Sequence, residues 1–223
     1  MQRLTGCRVL TIMGLLAAAS ATARADVMLD ATSTGWYDVS GLHFAGNPNY
    51  IVGINESLNQ FRDFFVFDLT GVTGTITSAT ISIVNPLSVN PAGKTYTLHE
   101  VSTPIATLED DQSGRTDIFD DLGTGTVFGS TPGTSDPLVV FSLNAAGLAA
   151  LTAAEGGSFA IGGELSPLTT GLISYMYGNS EEGVTLNLTT SAPIPEPGSI
   201  ALLLTVVIGV LLLLRRRVAT SNV

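Results

Sequence analysis

Residues 75–84, with the sequence TITSATISIV, set small or polar side chains against apolar ones at a period close to two. Such a stretch buries one face only as a strand, because successive strand side chains point to opposite sides. Asn85 and Pro86 end it, since proline brings no amide to a ladder. Residues 63–69 form a continuous apolar run between acids, which predicts a central strand, and 71–74 is the turn between the two. Further strands are expected at 96–101, 138–143, 158–161, 172–177, 184–188, 50–54 and 35–39. Only 145–155 has a helical pattern, with Asn144 as N-cap and Gly156 and Gly157 as the close. About nine short strands and one short helix predict a mainly β chain, a single jelly-roll-like β-sandwich. A domain of this size buries about 70% of its unfolded surface and needs no disulfide. None can form within the chain, whose single cysteine is Cys7. That also excludes a cysteine-built zinc site.

Charge is laid out in blocks. All 19 acidic residues of the 223-residue chain fall between Asp26 and Glu196. Residues 26–195 hold 3 basic and 18 acidic groups, a net of −15. A surface this acidic repels nucleic acid and anionic membranes, which excludes a nucleic-acid binder.

The two ends differ from the middle. Arg3 and Arg8 precede an apolar run at 9–19, and Ala23-Arg24-Ala25 follows it. A basic start, a short apolar run and small residues two apart are the pattern of a secretory signal peptide cut after Ala25 by signal peptidase. Cleavage there removes Cys7 and leaves no thiol, which suits an oxidising compartment. At the other end, 200–214 is aliphatic apart from Thr205 and Gly209 and meets Arg215, Arg216 and Arg217 at once. As a helix it is ~22 Å long against a hydrocarbon core of ~30 Å. Residues 197–199 must therefore enter too and the arginines must snorkel. The arginines place the tail on the cytoplasmic side. The expected layout is a signal peptide at 1–25, an acidic β domain at 26–190, a Pro-rich linker at 191–198, a transmembrane helix and basic stop at 199–217, and a cytoplasmic tail at 218–223.

The linker runs Ala192-Pro193-Ile194-Pro195-Glu196-Pro197-Gly198, and alternate prolines hold it extended. Pro195, Glu196 and Pro197, the apolar segment and the arginine cluster, in that order, resemble the PEP-CTERM sorting signal of exported bacterial proteins. The resemblance covers about the last thirty residues. It implies processing by an exosortase, a membrane-embedded cysteine transpeptidase-like enzyme, in an exopolysaccharide-producing Gram-negative bacterium. An exopolysaccharide is then an implied partner. One departure is the six residues after the arginines, where many members stop sooner.

Catalytic signatures are sparse. His43 and His99 are far apart, and a catalytic zinc needs three clustered ligands. Residues 88–95 approach a phosphate-binding loop, but Ser88 replaces its first glycine, Pro91 removes an amide and a strand follows instead of a helix; 90–93 is expected to be a turn. Gly123-Thr124-Gly125 lacks the third glycine of a dinucleotide loop. The acidic stretch 109–121 is expected to be a solvated loop, with Asp110, Asp111 and Asp117 as calcium candidates at a spacing that does not match an EF-hand. Trp36 and Tyr37, or Tyr175 and Tyr177, could stack on a sugar ring. The strands at 64–69 and 76–81 faintly resemble strand pairs in secreted sandwich modules, some of which bind carbohydrate. The expectation is a non-enzymatic cell-surface or extracellular-matrix protein without cofactors, exported through the inner membrane as a single-pass precursor. The alternative is a carbohydrate-binding module sent by the same route.

Overall fold

The computed structural model describes residues 24–179, 183–191 and 205–208. The chain divides into two compact units, Ala23–Pro193 as one and Met1–Thr22 with Ile194–Val223 as the other. In the second, residues 205–208 are helical and exposed. No helix among the described residues is long and apolar enough to cross a membrane. The rest of the expected span at 199–217, with Arg215, Arg216 and Arg217, lies outside the described residues, as do Pro195, Glu196, Pro197 and Ala23.

The first unit is mainly β and its pairings are antiparallel. Its strands are β1 (Arg24–Asp38), β2 (Tyr50–Ile54), β3 (Gln60–Asp68), β4 (Thr75–Val84), β5 (Leu87–Val89), β6 (Thr95–Glu100), β7 (Val127–Pro132), β8 (Leu138–Ser142), β9 (Ser158–Ser166), β10 (Ser174–Gly178) and β11 (Val184–Ser191). The helices are α1 (Ile105–Leu108), α2 (Thr116–Asp121) and α3 (Ala145–Ala153). β2 and β4 keep the expected bounds. The turn at 90–93 forms as expected, with the Lys94 amide donating to Pro91 O at 3.1 Å.

β1 belongs to two pairing groups. Its first half, to Asp30, lies beside β11, which pairs with β4, and β4 with β8. From Ala31, opposite Phe67, β1 pairs with β3 instead, with a register shift between Ala31 and Ser33. The other edge of β3 takes β2 at Phe61 and β9 at Asp63, and β6 and β7 continue from β9. Ile76, Ile81, Ile83, Phe141, Leu186 and Leu188 of the first group share one core with Phe65, Phe67, Tyr96, Leu98 and Ile161 of the second.

The apolar run of β3 has a second purpose. Phe64 and Val66 point away from that core and pack with Tyr37, Leu108, Ile118, Phe119 and Leu122 in a separate cluster. Residues 101–126 thus cover the outer side of β1, β3 and β9, which explains why β3 is apolar on both faces.

The helical content departs from expectation. The sequence predicts one short helix in the β domain, but three form among the described residues of the first unit. The acidic stretch is not a solvated loop throughout: its residues 116–121 are α2, with Ile118 and Phe119 buried. Helices of four and six residues are too short to show a 3.6-residue pattern, and neither has a side-chain N-cap. They exist because they pack on the sheet rather than through propensity. The helix that was expected, α3, is capped by Asn144, which accepts from the amides of Ala146 at 2.9 Å and Gly147 at 3.0 Å.

Candidate functional site

A largely enclosed polar group lies where β3, β9 and β6 run side by side. Alternation sends Arg62 to the outer face and Asp63 to the core. Arg62 Nη2 meets Glu164 Oε1 at 2.7 Å, and Nη1 donates to the carbonyls of Phe119 at 2.8 Å and Asp120 at 3.3 Å. Its guanidinium lies 4.4 Å from the centroid of the Phe119 ring. His99 Nε2 sits 3.8 Å from Glu164 Oε2 without a hydrogen bond. One arginine therefore joins the sheet to the C-terminal end of α2.

On the other face, the Tyr96 hydroxyl donates to Asp63 Oδ2 at 2.6 Å. Asp63 Oδ1 is buried without a partner. Burial pushes the Asp63 carboxyl up to about 7, and the hydrogen bonds from Tyr96 and a backbone amide pull it back only in part. Burial, then the neighbouring Asp63 charge, raises Tyr96 well above the usual phenol range. The adjacent glycines of β9 make room on both sides. A Cβ on Gly163 would overlap Asp63 Oδ1 and the Tyr96 ring, and one on Gly162 would meet the Leu122 backbone.

The residues singled out in the sequence do not assemble into one site. His43 is buried, stacks on Tyr37 with ring centroids 4.8 Å apart and has Nδ1 2.8 Å from Trp36 O. Burial lowers its pKa. Asp110 Oδ1 accepts from the Asp111 amide at 2.9 Å, and Asp111 Oδ1 from the Ala45 amide at 2.8 Å. Asp117 takes both Arg115 Nε at 2.9 Å and Nη2 at 2.8 Å. The three calcium candidates thus serve three different donors. Among the described residues no group of three or more metal-type side chains converges. Trp36, Tyr37 and Tyr175 are buried, and Tyr177 is half-buried. Ala25 lies in β1, opposite Thr190 of β11.

A cleft of about 450 Å³ opens where β1 changes partners, lined by Asp30, Thr32, Ser33, Thr34, Pro48 and Gly183 among others. The Thr32 and Thr34 hydroxyls already donate to the carbonyls of Val66 and Pro48. Among the described residues, Asp30 is the only titratable side chain that lines it.

No local sequence pattern points to the polar group around Arg62. The available signal was a charged pair, Arg62-Asp63, entering a run expected to be a central strand, together with Glu164 just past the expected end of another. No protein-family model matches the chain, and no curated protein matches it.

Proposed function

We propose that this is an exported, non-enzymatic cell-surface or extracellular-matrix protein, delivered by a PEP-CTERM-type sorting signal and processed by an exosortase. The observation that carries the reading is the order of Pro195, Glu196 and Pro197, the apolar segment at 200–214, and Arg215, Arg216 and Arg217, set behind an acidic β domain. The leading basic and apolar segment with Ala23 and Ala25 supplies the matching export signal. Two antiparallel groups with one shared core support a jelly-roll-like sandwich as the exported cargo. Burial of Trp36, Tyr37 and Tyr175 takes away most of the side chains that motivated a carbohydrate-binding module. The Arg62 group favours a structural role, because its guanidinium is engaged by Glu164 and by carbonyls of the covering segment.

The test is Glu196→Ala in a host with the sorting enzyme, with mass analysis of membrane and medium fractions. The precursor should stay in the membrane at its uncleaved mass. Normal cleavage and release would make the tripeptide a mere stalk and the segment an ordinary anchor.

A further inference from the structure

Free strand edges invite other strands, and the edges of this domain are guarded unequally. The three-residue β5 stands between Pro86 and Pro91, and β7 holds Gly129 and Pro132 beside a register shift. β8 has no such guard. Its residues are Leu138, Val139, Val140, Phe141 and Ser142, and among the described residues it pairs with β4 alone. The Asn85 amide donates to Pro137 O at 2.7 Å and the Leu143 amide to Ala79 O at 3.0 Å. Odd-numbered positions of β8 therefore turn their backbone groups to β4, and Leu138 and Val140 turn theirs to the open edge. The side chains of Leu138 and Val140 are also 52% and 48% exposed. Near Ser142 the edge closes, because a Cβ on Gly129 of β7 would lie 3.0 Å from Ser142 O. Charge singles out the same side. In a domain with a net of −15, β4, β7, β8, β11 and α3 carry no charged residue, and Asp136 is the one acid in 122–154.

We propose that β8 pairs edge to edge with β8 of a second copy, antiparallel about a two-fold axis at Val139, so that two domains share one sheet. In that register Leu138 of one copy and Val140 of the other exchange both backbone hydrogen bonds, and the axis repeats the exchange. The edge is self-complementary, because the same two residues supply every donor and acceptor. On the outer face each Leu138 side chain lies against Val140 of the other copy, covering apolar surface that a single domain leaves in water. Ser142 makes no new hydrogen bond, so the approach of Gly129 to its carbonyl is left as it is. Asp136 comes opposite Ser142 of the second copy rather than opposite another acid. Charge favours a second copy as the occupant. A basic partner would be drawn to the acids instead, whereas the uncharged strands let two acidic domains approach without bringing like charges face to face. One five-residue edge makes a reversible pair rather than an obligate dimer. The pairing is a property of the β domain and does not depend on the export reading.

The test uses the full-length chain in detergent, in a Cys7→Ser form, with mass measured by sedimentation equilibrium from micromolar to millimolar protein. Particles should pass from one copy to two as the concentration rises. Val140→Lys puts a charge on the open edge and should raise the dissociation constant at least about tenfold. Val127→Lys, at an exposed position of β7, should leave it unchanged. Chains with Leu138→Cys, mixed with chains carrying Val140→Cys and oxidised, should form a disulfide between copies, and Leu138→Cys chains alone should form far less. A single copy at every concentration overturns the proposal. So does a dimer that Val140→Lys leaves intact, which would put the association in the apolar segment at 200–214. Open-ended aggregates overturn it too, since this pairing closes on itself. Cross-linking of Leu138→Cys alone as strong as that of the mixture overturns the register and the axis with it.

Discussion

The Tyr96 hydroxyl and Asp63 Oδ2 are 2.6 Å apart inside a core otherwise made of aliphatic and aromatic side chains. Asp63 lies on β3 and Tyr96 on β6, and the two strands are separated by β9, whose Gly163 faces Asp63 in register. The tyrosine reaches the carboxyl across the space left by the glycine.

This carboxyl makes stability depend on pH in an uncommon direction. Asp63 titrates near 7 in the folded domain, against an ordinary value of 3.8. The unfolded chain releases its proton first, so stability from this group is complete below about pH 4, falls as the pH rises to about 7 and is level above that, a total of ~4 kcal/mol. Asp38 and Asp121 act in the opposite sense. Burial pushes both up, but their hydrogen bonds outweigh it and hold both below the usual range, so their contribution is lost as the pH falls through that lower range. Burial holds His43 below the usual imidazole range, so its contribution rises with pH up to about 6.5 and opposes that of Asp63. The Asp63 contribution is therefore read as the difference in urea midpoint between wild type and Asp63→Asn, which should move against the wild type from pH 5 to 8. The Asp63→Asn variant should be more stable than wild type at pH 8. Equal slopes for the two would rule out this assignment.

Arg62→Ala should loosen the covering segment before the rest of the domain. It leaves the Glu164 carboxylate without its 2.7 Å partner and the Phe119 carbonyl without its donor. Glu164 is half-buried and the Phe119 carbonyl is enclosed, so losing both hydrogen bonds costs about 1–3 kcal/mol. Amide exchange at Leu122 and Gly123 should accelerate well beyond that at Phe65 and Phe67. Uniform acceleration would mean that the segment and sheet open together.

Asn144→Ala removes the acceptor for the Ala146 and Gly147 amides. A loss of ~1 kcal/mol is expected, with Asn144→Asp close to wild type because it keeps the acceptor. Chemical denaturation of the three forms checks this. A loss equal in the Asp form would point to the Asn144 Nδ2 bond to Val127 O instead.

Salt should raise the melting temperature, because 18 acids face 3 basic groups in residues 26–195. Calcium at matched ionic strength should add little, since Asp110, Asp111 and Asp117 hold separate protein donors. A calcium-specific rise abolished by Asp111→Ala would instead make this stretch a binding loop.

Where alternation runs cleanly, the strands are legible. β4 follows from Ile76, Ala79, Ile81 and Ile83, and β2 from its β-branched residues, both to the residue. β1 was expected only from Gly35, yet it begins at Arg24. Its apolar positions there, Val27, Leu29 and Ala31, alternate with Asp26 and Asp30, and the bulge at Thr32 breaks the period. β7 contains Gly129 and Pro132, which look like turn residues until the partner strand is in place. Asp63 reads in the sequence as an acid bounding an apolar run, but it is fully enclosed within the strand. Which carboxyl a tyrosine 33 residues away will reach depends on register, and no local pattern carries register.

The antiparallel docking of β1 and β11 has a mechanical consequence. Arg24 at the start of β1 lies opposite Ser191 at the end of β11. A load drawn between them pulls across the ladder at one end, along the direction of its hydrogen bonds. Pairs then open in succession, as in a zipper, rather than all at once as in shear. Strung end to end between two attachments, the domain would give way at low force and lengthen. Held by its C-terminal end alone, it would carry no such load.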